Sequence, residues 1–328
     1  MKKQIAVLGF ALCSLLLAPC SPAEAQQPGK AYRIGFLDGS TASGMAGLLA
    51  ALRQELSKLG WIEGKNIAFE NRFAEQKNER LPELAAELVR LKVDLIVAGG
   101  GTSALAAKKV TTNIPIVMAN VGDPVGAGLV ASLARPGGNI TGLASLGTEL
   151  NTKRLEILKD VVSKLARVGL FRPAGGSDRQ LKDLRPAALG LNLKLEEIKT
   201  QLDAKGLESA FQTAKQKQLG AIMTTIATTF FAERKSIVEL AGKYRFPAIY
   251  YQKEFVDEGG LMFYGADYDD LFRRAAGYVD KILKGARPAD LPVQQATKFE
   301  FVINLKAAQQ IGLTIPVEVL AKANQVIK

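Results

Sequence analysis

The chain has 328 residues, 48% of them hydrophobic and 23% charged, with two cysteines, no histidine and a formal charge of +11. The missing histidine excludes Ser-His-Asp catalysis, imidazole acid–base chemistry and most zinc sites. Lysine and arginine are scattered beside acids, as in Glu79-Arg80 and Glu233-Arg234-Lys235, and no basic run is interleaved with aromatics. The charge therefore reads as a solvated basic surface, and no nucleic-acid partner is expected.

The first 25 residues have the order of a secretory leader: Lys2 and Lys3, an uncharged run from Ile5 to Ala18, then Ala23-Glu24-Ala25 with small residues at the cleavage positions. The apolar run is too short for the about 20 residues that cross a bilayer. A secreted, periplasmic chain starting near Gln26 is expected. Cys20 after Leu17-Ala18-Pro19 loosely matches a lipoprotein box, with Pro19 a poor fit, and lipid anchoring there is the lesser alternative. Both cysteines, Cys13 and Cys20, lie in this leader. A chain cleaved after Ala25 keeps 303 residues, no thiol and a charge of +10, enough for two ordinary domains.

Short β-rich runs then alternate with helical periods. Residues 32–37 read as a strand, and Leu48, Leu49, Leu52, Leu56 and Leu59 mark a helix that Gly60 ends. Residues 67–73 are strand and 81–91 helix, with Pro82 in its first turn. Leu95-Ile96-Val97-Ala98 is a fully apolar strand of the kind parallel sheets prefer. A helix over 102–110, a strand over 114–119, a short helix over 129–134 and a strand over 140–144 follow. The rhythm restarts with helices over 149–162, 181–189, 207–217 and 231–244. The intervening strands are 168–171, 193–198, 221–225, 248–251 and 261–264. A long helix over 268–283, a strand over 299–304 and short helices around Pro316 complete the chain. Two successive sets of strand–helix units predict an α/β protein with two doubly wound parallel-sheet lobes, changing near residues 143–148.

Ligands of open parallel sheets bind beyond the carboxyl ends of the strands. Three polar, glycine-containing loops fall there in the first half: Asp38 to Ser43, Gly99 to Ser103, and Asn120 to Pro124. Thr102 and Ser103 open a helix, where free N–H groups favour a carboxylate or phosphate; the plain alternative is a cap. Gly99 to Ala104 formally fits G-x-G-x-x-A, but it follows the third strand and no carboxylate ends the next one, so a dinucleotide is not expected. No cofactor or metal is expected. In the second half Phe230, Tyr250, Tyr251 and Tyr264 either form an aromatic wall or belong to the core. Glu254 and Asp267 either meet a ligand ammonium or serve as surface acid and helix cap.

Three blocks carry a resemblance. Val117 to Gly142 reads VMANVGDPVGAGLVASLARPGGNITG, Ala248 to Pro292 begins AIYYQKEFVDEGGLMFYGADYDDLF, and Thr297 to Gly312 reads TKFEFVINLKAAQQIG. Together they resemble the ABC-transporter substrate-binding proteins that include tryptophan and tyrosine uptake receptors. The resemblance implies a type I periplasmic binding fold, two lobes joined by a three-crossover hinge that close like a flytrap. It places residues 26–145 plus about 266–290 in the first lobe, and 146–265 plus about 291–328 in the second. It implies ligand contacts from Ser40, Thr41, Thr102, Ser103, Asn120 and Asp123, and from Thr228, Glu254, Tyr264 and Gly265; Tyr251, at the end of its strand, is expected to join them as a wall aromatic. Many relatives carry Asp-Pro where this chain has Thr228-Thr229, which removes one acid for a ligand ammonium and leaves aromatic and branched acids open beside amino acids.

The expected function is capture without chemistry by a monomer: a small organic carboxylate or amino acid is held between the lobes and delivered to a membrane permease and its ATPase. A ligand-sensing receptor and, less favoured, a histidine-free α/β enzyme working with carboxylates and lysine are the alternatives.

Overall fold

A computed structural model describes residues 31–147, 149–174 and 180–328. The leader, both cysteines, Thr148 and residues 175–179, the second half of the 172–177 loop included, lie outside the described residues.

The first lobe opens with β1 (Tyr32–Asp38), α1 (Ala42–Lys58), β2 (Ile67–Phe73), α2 (Leu81–Arg90), β3 (Leu95–Ala98), α3 (Gly101–Val110), β4 (Ile116–Val121) and β5 (Ile140–Ala144). Local chemistry accounts for these elements. Thr41 caps α1 by accepting the Gly44 N–H at 3.1 Å, and Met45, Leu49, Leu52 and Leu56 recur at helical spacing to bury one face. β3 is buried along its whole length, as a central parallel strand covered on both faces requires.

The second lobe contains α4 (Glu149–Val161), β6 (Arg167–Pro173), α5 (Leu181–Gly190), β7 (Lys194–Thr200), α6 (Ala204–Gln216), β8 (Ala221–Thr224), α7 (Thr228–Ala232), α8 (Arg234–Lys243), β9 (Ala248–Tyr250), α9 (Glu254–Asp257) and β10 (Met262–Ala266). The chain then returns to the first lobe as α10 (Tyr268–Leu283) and β11 (Gln294–Gln295). It crosses back as β12 (Phe299–Asn304), α11 (Leu305–Ile311), α12 (Val317–Leu320) and β13 (Gln325–Ile327).

One sheet has the order β11-β5-β4-β3-β1-β2 and is parallel throughout. The other has the order β13-β12-β10-β9-β8-β6-β7, with β12 antiparallel to β10. Each sheet thus reverses direction next to its first strand, between β1 and β3 and between β6 and β8. Such a reversal splays the adjoining loops apart and opens a crevice above the strand ends. α10 packs its Leu271, Phe272, Ala275 and Val279 against Phe36, Leu49 and Leu52, so the lobe that starts the chain is completed by a helix 200 residues later. Three passages join the sheets: after β5, between β10 and α10, and after β11.

The elements differ from expectation at several places. Residues 129–134 form no helix. The segment is too short to nucleate one, Lys108 Nζ takes the Gly128 and Leu129 carbonyls, and Gly128 is left-handed at φ +68°. The helix expected over 231–244 is two, α7 and α8, broken at Glu233, whose backbone leaves helical geometry at φ −94°, ψ 15°. The strands β11 and β13 are too short to show a period. β11 pairs with β5, so residues 291–295, assigned by resemblance to the second lobe, stay with the first sheet.

Candidate functional site

A cavity of about 440 Å³ lies between the lobes, walled by the carboxyl-end loops of both sheets. The first lobe presents Asp38 to Ser40 after β1, Gln76 and Asn78 after β2, Gly99 to Ser103 after β3, and Asn120 and Gly122 at the end of β4. The second presents Leu150 and Arg154 of α4, Ile226, Ala227 and Phe231 around α7, and Tyr251, Gln252 and Glu254 after β9. Ser145 and Gly147 on the first crossover, and Ala266, Tyr268 and Phe272 around the second, close the floor.

Of the expected contacts, Ser40, Thr102, Ser103, Asn120, Tyr251 and Glu254 line this cavity. Thr41 does not; its hydroxyl is spent on the cap of α1. Asp123 is absent from the wall and accepts the Gly126 N–H at 2.8 Å within its own loop. Tyr264 turns away to pack on Phe299 and Phe301, with ring centroids 6.3 and 6.1 Å apart. Gly265 faces the core: a β-carbon there would stand 2.6 Å from the Phe263 ring. Thr228 opens α7, and its side chain lies outside the described residues. Of the four candidate wall aromatics only Tyr251 borders the cavity, while Phe230 and Tyr250 are core. Of the two alternatives for Asp267 the structure shows the helix cap, which accepts the Asp270 N–H at 2.9 Å at the start of α10.

Two charged residues of the wall, Asp38 and Arg154, are not among the expected contacts. Asp38 ends β1 only 8% exposed, and accepts the Ser40 N–H at 2.7 Å. Burial pushes its carboxyl up to about 6, and the Ser40 bond opposes that only in part. Arg154 is 2% exposed. Its Nε donates to the Tyr264 carbonyl at 2.8 Å, and Nη1 to Asn151 Oδ1 at 2.7 Å and the Gly147 carbonyl at 3.3 Å. Among the described residues no carboxylate pairs with it, and burial lowers its guanidinium to about 10. Glu254 is also raised by burial, with Asp257 adding repulsion. The signals were present in the sequence. Asp38 is the charged end of an apolar parallel strand, and Arg154 stands on the stripe of Leu150, Leu155 and Leu158.

The apolar share of the wall comes from Met45, Leu48, Leu150, Ile226, Phe231 and Phe272. The guanidinium of Arg234 lies 4.9 Å from the Phe231 ring centre and is held by Glu258 at 3.2 Å. Tyr251 donates its hydroxyl to the Ala227 carbonyl at 2.6 Å, fixing the α7 loop against β9.

Two doubly wound lobes, three crossovers and a mixed polar and apolar cavity between facing strand ends define a two-lobed ligand-binding protein of the type I periplasmic class. The chain belongs to the ABC transporter substrate-binding protein family, which it matches over residues 40–327. It is 29% identical over 257 residues to a tyrosine-binding protein of Clostridioides difficile, covering 76% of this chain and 72% of that one. Its fold superposes on a conserved domain protein of Vibrio cholerae with a TM-score of 0.82 at 28% identity, over 90% of this chain and all of that one. It also superposes on an ABC domain from Streptococcus pneumoniae in complex with L-Trp, with a TM-score of 0.81 at 25% identity, over 91% of this chain and all of the other. The family is one of substrate-binding components, not of enzymes.

Proposed function

We propose that the protein is the periplasmic receptor of an ABC importer for an aromatic α-amino acid, taken up as the zwitterion. One observation carries this reading: the cavity buries opposite charges on facing lobes, neither paired with an opposite charge among the described residues. Asp38 projects from the first lobe, and Arg154 from the second. Each is pushed toward its neutral form by burial, and a ligand bearing both charges relieves both penalties at once. The ammonium goes to Asp38, with Glu254 reinforcing it from the second lobe. These two acids take the place of the one lost at Thr228-Thr229.

The carboxylate goes to Arg154. The start of α3 keeps free N–H groups, since its capping residue Gly100 has no side chain, but the Asp38 carboxyl packs against Gly99 just before it and offsets the positive helix end. Thr102, Ser103, Ser40 and Asn120 supply neutral hydrogen bonds. The side chain of the ligand lies among Leu48, Leu150, Ile226 and Phe231. The relatives that bind tyrosine and tryptophan support this choice.

A ligand bridging both lobes favours the closed arrangement by its differential affinity for it. The closed monomer then presents surfaces of both lobes to the permease, with the ATPase beyond. Thermal-shift titration tests the reading with L-tryptophan, L-tyrosine, tryptamine and indole-3-propionate. The amino acids should raise the melting midpoint well above either one-charge analogue. Equal shifts from indole-3-propionate and L-tryptophan would remove the zwitterion from the argument.

A further inference from the structure

We propose that Arg154 is the latch of the hinge, gripping through one guanidinium the ligand's anionic group, the first interlobe crossover and the strand that leads into the second. The inference rests on the ligand orientation given above and adds the means by which capture reaches the hinge. Gly147, whose carbonyl accepts from Nη1, lies on the first crossover between β5 and α4. Tyr264, whose carbonyl accepts from Nε, lies on β10 just before the second crossover into α10. Asn151 steadies Nη1 from one turn back on α4. The remaining nitrogen, Nη2, makes no hydrogen bond among the described residues, on a side chain that borders the cavity.

The guanidinium is a planar, rigid fork. A carboxylate that draws Nη2 therefore moves the whole plane, and with it the Nε and Nη1 that hold the Tyr264 and Gly147 carbonyls. The first crossover is set to respond. A β-carbon on Gly147 would stand 3.1 Å from Ile226 Cδ1 in the second lobe and 3.4 Å from the Gly122 Cα in the first. The crossover is thus pinched between the lobes at the position Arg154 holds. Lysine cannot replace this function: it keeps the charge but offers one compact ammonium, which cannot span the two carbonyls and the ligand together.

The test compares the wild type with Arg154→Lys and Arg154→Met in two ways. Hydrogen exchange on the ligand-free proteins reads the crossovers directly. Both variants should exchange faster at the amides of residues 145–147 and 264–268, with the outer strands β2 and β7 unchanged. Calorimetry and small-angle scattering with L-tryptophan read the coupling. Arg154→Met should lose about 100-fold in affinity. Arg154→Lys should still bind at raised concentration, yet at saturation show less compaction than the wild type.

Unchanged exchange at the crossovers overturns the latch, as does full compaction of saturated Arg154→Lys. If Arg154→Met does not fold, the lysine variant decides alone. If the wild type binds neither L-tryptophan nor L-tyrosine, the amino-acid reading fails instead, and the exchange experiment still decides whether Arg154 holds the hinge.

Discussion

The Asp38 carboxylate rests on the backbone of Gly99: a β-carbon at residue 99 would stand 2.2 Å from Asp38 Oδ2 and 3.0 Å from its Cγ. Asp38 ends β1 and Gly99 follows the neighbouring strand β3, at the reversal of strand order in the first sheet. The missing side chain at residue 99 makes the room in which a buried acid can face the cleft. Gly99→Ala should expel the carboxyl from this seat, costing about 1–3 kcal/mol of stability and most of the affinity for L-tryptophan. Chemical denaturation and calorimetry read both effects, and retained binding would show that the acid is not required where it lies.

Asp38 also gives the protein a pH signature. Its carboxyl titrates at about 6 when folded, against 3.8 as the ordinary value. Below pH 3.8 both states hold the proton. As pH rises to 6 the unfolded chain ionises first, so stability falls across this window by at most about 3 kcal/mol. Asp38→Asn lacks that loss. Its urea midpoint should exceed that of the wild type more at pH 7.5 than at pH 4, while its affinity for L-tryptophan falls. A midpoint difference independent of pH would contradict the assignment.

Phe231 should set the preference for an aromatic side chain. Its ring borders the cavity and carries Arg234 within cation–π distance. Phe231→Ala should weaken L-tryptophan binding about 10-fold through loss of ring contact, with a smaller effect on an aliphatic amino acid. Equal losses for L-tryptophan and L-leucine would remove this role.

Tyr250 offers a test away from the cleft. It is core, stacked on Phe255 with centroids 4.6 Å apart, and its hydroxyl is buried without a partner among the described residues. Burial alone pushes that hydroxyl's ionisation upward. Tyr250→Phe should stabilise the protein by about 1–3 kcal/mol, read as a higher melting midpoint with ligand affinity unchanged. A lower midpoint would reveal an ordered water satisfying the oxygen.

Much of the fold was legible because parallel α/β units write their period plainly. The run Leu95 to Ala98 and the stripes of α1 and α10 each bury what the pattern says they bury. Strands of two or three residues such as β11 and β13 carry no period, and they exist only because a neighbouring strand supplies hydrogen bonds. The site was legible as a set of loops and less so as a set of side chains. Ser40, Thr102 and Asn120 border the cavity, whereas Thr41 and Asp123 resemble them in sequence but serve their own turns.

The sequence by itself determined the alternation of strands and helices, the two-lobed family and the strand-end loops where a solute can sit, because period and turn chemistry are local. Only the tertiary structure decided which charges face the cleft. Asp38 meets Gly99 across 61 residues, and Arg154 meets Tyr264 across 110. The cost of burying a charge depends on what the fold brings to its side, and no stretch of sequence holds that information alone.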